Sequence, residues 1–178
     1  MMHLVRLKTS SCSIYEEAEK LYKDSFPVHE QRDSVSQKAV LAQEEYCFYL
    51  IYDESDFVGI LLCWERERFI YVEHFCIGAD LRNRRYGQRA LDLLKDNGKT
   101  VILEIDPPVD EISERRKGFY ERSGYKSNSF EHVHPPYLEN KEGHKLLVMS
   151  YPEVLSRDLY DEFDRYLNVC VMGDRNES

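Results

Sequence analysis

The chain has 178 residues, with 24 Lys plus Arg against 33 Asp plus Glu and a formal net charge of -9. That length suits one domain with one sizeable core, spanning 1–178, and the acidic balance excludes a broad basic surface for nucleic acid. No apolar run approaches a membrane span, and the N-terminal MMHLVRLKTS lacks a secretory apolar centre, so the expectation is a cytoplasmic protein without nucleic-acid or membrane partners.

Met2 to Lys8 reads as a short strand. Tyr15 to Tyr22 reads as a helix, with Ala18, Leu21 and Tyr22 at helical spacing, and Phe26-Pro27 ends it. A second helical piece covers Asp33 to Ala42. From Tyr46 the period becomes strand-like: Tyr46 to Tyr52, Phe57 to Trp64 and Phe69 to Ile77 form an antiparallel meander with short polar connections. Gly87 to Asn97 carries an apolar stripe of Ala90, Leu91 and Leu94, a second helix face. Thr100 to Ile105 is a strand, making residues 69–105 a right-handed parallel crossover. Ile112 to Arg122 is a helix capped by Asp110 or Ser113. Two strands, Lys126 to Val133 and His144 to Ser150, flank a loop, and residues 152–170 form a C-terminal amphipathic helix. The five cysteines, Cys12, Cys47, Cys63, Cys76 and Cys170, contain no C-x-x-C pair and read as free thiols.

The segment with most chemical content is RNRRYGQRALDLL, Arg82 to Leu94. It lies where a strand hands over to a helix, a place where unpaired N–H groups, the helix dipole and fixed cations can meet a phosphorylated ligand. A solvated basic loop is the ordinary alternative.

Phe69 to Gly124 resembles the cofactor-binding half of the GNAT superfamily of acyl-CoA-dependent N-acyltransferases. Its signature, Q/R-x-x-G-x-G/A, corresponds here to Arg82, Asn83, Arg84, Arg85, Tyr86 and Gly87. Arg85 stands at the first glycine position, and must either adopt ordinary dihedrals or point its side chain outward. A second segment, KGFYERSGY from Lys117 to Tyr125, is similar to the family's A-x-x-F-Y-x-x-x-G-F, with Phe119 and Tyr120 at the aromatic pair; Phe119 is expected in the core. The resemblance implies an α/β fold with a mixed central sheet of six or seven strands flanked by helices, and acetyl-CoA as cosubstrate. It assigns Phe75, Cys76, Ile77, Arg82, Arg84, Arg85, Tyr86, Gly87, Gln88 and Tyr120 to the cofactor.

The implied reaction is direct attack of an amine on a thioester, with a backbone N–H near Cys76 or Ile77 for the carbonyl oxygen and Tyr120 as general acid. Glu73 is the first candidate for the base, sharing a strand face with Tyr71 and Phe75; His74, on the opposite face, and Glu104, in the neighbouring strand, are its rivals. A thiol route through Cys76 with His74 is a minor alternative. Phe26, Glu30, Glu104, His134 and Tyr137 are candidates for the acceptor pocket. His132, His134 and His144 cluster in sequence, but no further ligands complete a metal set, and none is expected. The acceptor is a small-molecule amine or a peptide. A catalytically inactive GNAT-like acyl-CoA-binding or protein-interaction module, and a homodimer joined through the final helix, are the open alternatives.

Overall fold

The aromatic and branched runs of the first half pair as β1 (Met2–Leu7), β2 (Tyr46–Asp53), β3 (Asp56–Glu65) and β4 (Phe69–Ile77), antiparallel and in that order. They lie in the first of two compact units, Met1–Lys99; the second is Thr100–Ser178. The computed structural model describes residues 1–173, so the end of the expected 1–178 domain lies outside the described residues.

In the first unit α1 (Ser13–Ser25) packs on β3, because Tyr15, Ala18 and Tyr22 recur at helical spacing and are buried. Phe26 is extended, at φ -122 and ψ 143, ahead of Pro27. Asp33 then caps the short α2 (Ser34–Val40) by accepting from the N–H groups of Val35 and Ser36. The core is strongly aromatic: Tyr15, Tyr22, Tyr46, Phe48, Trp64 and Tyr71 are all fully buried. α3 (Tyr86–Lys95) packs on β1 and β4 with Ala90, Leu91 and Leu94 buried.

The alternation expected along β4 fails at one residue. Leu62 pairs with His74 and Cys63 with Val72, so Glu73 has no opposite partner and forms a bulge. The extra residue shifts the parity of everything after it. Glu73 and His74 therefore turn to the same side, toward the 26–32 segment, and Phe75 leaves the face that it was expected to share with Tyr71 and Glu73.

In the second unit β5 (Thr100–Ile105) pairs antiparallel with β9 (Leu147–Tyr151), and β9 with the two-residue β6 (Lys126–Ser127). Counted with β1 to β4, these make seven sheet strands, within the expected six or seven. α4 (Glu111–Arg122) opens on a capping box: Asp110 is the cap, and Ser113 closes the box from the third helical position.

The long strands expected at Lys126 to Val133 and His144 to Ser150 are each broken. β6 stops because Asn128 turns its own amide onto the next strand, donating Nδ2–H to Val148 O and Ser150 Oγ while its Oδ1 accepts from Leu155 N–H. The chain resumes as a separate ribbon, β7 (Val133–His134) with β8 (His144–Lys145). The final helix is also shorter than residues 152–170: Ser156 caps α5 (Arg157–Tyr166), and a π turn follows at Leu167–Val171. Leu159, Tyr160, Phe163, Tyr166 and Leu167 are buried within the chain.

Candidate functional site

The basic junction is built as the sequence implies, with one difference. β4 ends at Ile77, Gly78 donates its N–H to Val58 O, and a single 3-10 turn over Ala79–Leu81 leads to Arg82. Arg82 donates Nε–H back to Ile77 O at 3.3 Å, tying the loop to the strand. Asn83 and Arg85 both have positive φ, 65° and 62°. Arg85, with ψ 10, thus takes the left-handed conformation rather than ordinary dihedrals, and its side chain points to solvent. It keeps the backbone path that a glycine would give, at a cost of about 1–2 kcal/mol for an L-residue.

α3 begins immediately after this turn. Arg85 is its N-cap without a side-chain cap bond, so the first N–H groups of the helix, from Tyr86, Gly87 and Gln88, face outward from its positive end. Arg82, Arg84 and Arg85 are exposed beside them. Arg89, in the same cluster, is instead held by Asp53 through two bonds of 2.6 and 3.0 Å.

The approach of β3 to β4 just before the loop depends on Gly59. A Cβ there would stand 2.4 Å from Cys76 O and 2.9 Å from Ile77 Cδ1. Burial pushes the Cys76 thiol up, which disfavours a thiolate and argues against the thiol route.

Both base candidates of β4 are buried and engaged. Glu73 Oε1 pairs with Arg32 Nη2 at 2.7 Å, and Trp64 donates its indole N–H to Glu73 Oε2 at 2.7 Å. Only 1% of the Glu73 side chain and 9% of that of Arg32 is exposed, so this is a buried ion pair in which both carboxylate oxygens are occupied. His74 donates Nε2–H to Glu30 O at 2.7 Å and stands edge-on to Phe26 and Tyr22. Phe26, Glu30 and His74 are therefore together, but Glu30 contributes its backbone carbonyl, and its carboxylate lies 3.7 Å from His29 at the surface. Trp64 had no assigned role in the sequence and Arg32 was not named as the partner of Glu73; the one signal for the pair was an acid on an aromatic strand face, which needs a partner.

In the second unit Tyr120 lies in the last turn of α4, half-buried, edge-on to Phe119 and Tyr125. Phe119 is also only half-buried, and Tyr125 is the aromatic that enters the core. Gly124, at φ 89, makes the turn out of α4. Burial pushes the Tyr120 phenol up to about 12, the nearby Arg116 opposing it, so the hydroxyl remains a proton donor through neutral pH.

Glu104, His134 and Tyr137 come together. His134 Nε2 is 4.0 Å from Glu104 Oε1, and its ring stacks on Tyr137. The residue that the sequence reading missed is His132: its Nε2 lies 2.5 Å from Glu104 Oε2, and its Nδ1 2.9 Å from Tyr160 Oη. The cluster of His132, His134 and His144 is the available signal, and in the sequence it bears only on a metal set, which is not expected. Among the described residues no three His, Cys, Asp or Glu side chains converge as a metal site, and no helix is long and apolar enough to cross a membrane.

Comparison with known proteins gives a consistent pattern. Residues 13–125 match the acetyltransferase (GNAT) family. A Bacillus subtilis (strain 168) protein named "Putative acetyltransferase YjbC" is 31% identical over 104 residues, 57% of this chain and 52% of that protein, so the match spans about half the relative's length. Among solved structures, a "Putative acetyltransferase from GNAT family" of Bacteroides thetaiotaomicron is 28% identical with a TM-score of 0.90, covering 96% of this chain and 98% of the other. An aminoglycoside 6'-N-acetyltransferase complexed with coenzyme A, 16% identical, shares the fold at a TM-score of 0.62 over 83% of this chain and 95% of its own.

Proposed function

This chain belongs to the GNAT acetyltransferase family, and on that premise we propose that it transfers an acetyl group from acetyl-CoA directly to a primary amine of a small molecule or peptide. The observation that carries the reading is the backbone of the basic junction. Arg85 holds the left-handed turn that a glycine would hold, so the N–H groups that open α3 remain available to a diphosphate despite the changed residue. Arg82, Arg84 and Arg85 supply the charge that a diphosphate needs. The backbone near Cys76 and Ile77 is assigned the oxyanion of the thioester carbonyl.

The chemistry then follows from proton placement. The amine nitrogen attacks the carbonyl carbon, the C–N bond forms, and the C–S bond breaks with its electron pair leaving on sulfur. Tyr120, kept protonated by its raised pKa, gives its proton to that thiolate. Glu73 is held by Arg32 and Trp64, which suits an anchor for the 26–32 segment better than a base. In the second unit, Glu104, His134 and Tyr137 are assigned to the acceptor.

The first test is isothermal titration of the purified chain with acetyl-CoA and with CoA. Binding of both is expected, weakened by the double substitution R82A/R84A and by salt. A folded protein that binds neither ligand removes the proposal.

A further inference from the structure

β2 and β3 place two of the five cysteines opposite one another: Cys47 pairs with Cys63 in the antiparallel register. Residues so paired point to the same side of a sheet, with Cα atoms about 4.5 or 5.5 Å apart. A disulfide spans Cα separations of about 4.4–6.8 Å, so either kind of pair can be bridged. Both thiols are free here, and each residue is only 1% exposed.

Ordinary core filling accounts for two buried thiols but not for the polar groups around them. Tyr46 and Phe48 turn to the side of α1 and α2, where Gln37 donates to the Tyr46 hydroxyl and Tyr15 meets the Phe48 ring. Cys47 and Tyr49 therefore turn to the other side. Arg6 of β1 stands opposite Tyr49, and its guanidinium donates to Glu44 O at 2.6 Å and to Tyr46 O at 2.8 Å, which fixes a cation near Cys47. The β1 ladder stops at Leu7 opposite Phe48, so Cys47 lies just beyond its end, with Arg6 and Tyr49 half-buried around it.

A hydrogen bond from the Cys63 thiol holds the Cys47 thiol below the ordinary cysteine range, against the effect of burial; the Tyr49 hydroxyl and the Arg6 charge act in the same direction. The Cys63 thiol is pushed up by that same bond and by burial, which makes it the donor of the pair. One sulfur is thus prepared as a nucleophile, with a second thiol directly beside it.

We infer that Cys47 and Cys63 form an oxidation site for hydrogen peroxide, with Cys47 as the attacking sulfur, Cys63 as the resolving thiol and a disulfide joining β2 to β3 as the product. The site is independent of the acetyltransferase reading. Cys47 gives up its proton and its sulfur attacks one peroxide oxygen; the S–O bond forms, the O–O bond breaks, and the departing hydroxide takes that proton to leave as water. The Cys63 sulfur then attacks the Cys47 sulfur, the S–S bond forms, and the sulfenic hydroxyl leaves with the Cys63 proton as a second water. Two thiols and one peroxide become one disulfide and two waters, each sulfur losing one electron and each peroxide oxygen gaining one.

Burial sets the choice of oxidant. Exchange with a disulfide such as oxidised glutathione needs a bulky partner to reach the attacking sulfur, and the pair has almost no exposed surface to offer it. Hydrogen peroxide is little larger than water.

The test exposes the reduced, intact protein to hydrogen peroxide, blocks remaining thiols with N-ethylmaleimide under denaturing conditions, and maps the chain by mass spectrometry without reduction. Two of the five thiols should disappear, with the Cys47 and Cys63 peptides joined, and dithiothreitol should restore both. Oxidised glutathione at the same concentration should leave the pair reduced. C63S should accumulate a sulfenic acid on Cys47, trapped by dimedone, whereas C47S should give no adduct on Cys63. Trp64, the single tryptophan, adjoins Cys63, so its fluorescence should change on oxidation and return on reduction. Thermal melts identify a serine variant that fails to fold, and the wild-type map then decides alone.

Cys47 and Cys63 left unlinked at a peroxide dose that oxidises the exposed Cys170 overturn the proposal. So does dimedone on Cys63 in C47S with none on Cys47 in C63S. Oxidation of the pair by oxidised glutathione as fast as by peroxide overturns the assignment of the oxidant.

Discussion

Replacing Arg85 with glycine separates the backbone's contribution at the basic junction from the side chain's. At φ 62 and ψ 10 an L-residue carries about 1–2 kcal/mol of strain. Glycine adopts the same dihedrals freely but loses about 0.5–1 kcal/mol more conformational entropy on folding. The exposed arginine side chain has little packing to lose, so R85G should stabilise the chain by about 0.5–1 kcal/mol, the difference of those two terms. For a chain of this size that is a rise of about 1–4 °C in Tm, read by differential scanning calorimetry. The ligand effect should run the other way. Removing one charge-assisted contact costs about 1.5–3 kcal/mol, a loss of about tenfold to a hundredfold in CoA affinity, and a shallower dependence of that affinity on salt. R85K keeps both the strain and the charge, and should change Tm little. A fall in Tm for R85G would refute the strain argument, and unchanged CoA affinity would remove the Arg85 side chain from phosphate recognition.

Three further outcomes follow from the same structure. R32M leaves Glu73 as an uncompensated buried charge and should cost about 3–5 kcal/mol, with R32M/E73L recovering much of the loss in denaturant titrations. G59A forces a Cβ to within 2.4 Å of Cys76 O; it should destabilise by about 1–3 kcal/mol and weaken acetyl-CoA binding, because the displaced backbone is the one that leads into the loop. Y120F should lower kcat with acetyl-CoA binding intact. Because the Tyr120 phenol is raised to about 12, its proton is present at lower pH and lost as pH rises through that value, so Y120F should leave the shape of the rate profile around neutrality unchanged.

Much of the fold was legible because it follows local periodicity. β4 and β5 occupy the expected residues, and the Asp110 cap and the Gly124 exit were readable from residue type alone. What was not legible depends on partners distant in sequence. The bulge at Glu73 arises from pairing with β3, so strict alternation put His74 on the wrong face. Asn128 ends β6 by bonding to residues 20 to 27 positions away, which no local pattern reveals. The left-handed turn at Arg85 runs against the ordinary preference of its own side chain, and only the loop's geometry imposes it.

The same distinction holds for the candidate site. The arginine cluster and Tyr120 belong to contiguous motifs and could be named from the sequence. The Glu104, His132 and Tyr160 contacts join residues 28 apart at each step and emerge only on folding. Arg32 with Glu73, 41 residues apart, is of the same kind.

The central claim is acetyl transfer from acetyl-CoA to a primary amine, and the most direct measurement couples free-thiol release to mass spectrometry of the products across a panel of amines, amino acids, antibiotics and peptides. The account predicts CoA release above the uncatalysed rate together with one acetyl group on the amine nitrogen of at least one acceptor. Binding of acetyl-CoA with neither thiol release nor an acetylated product across the panel would contradict it.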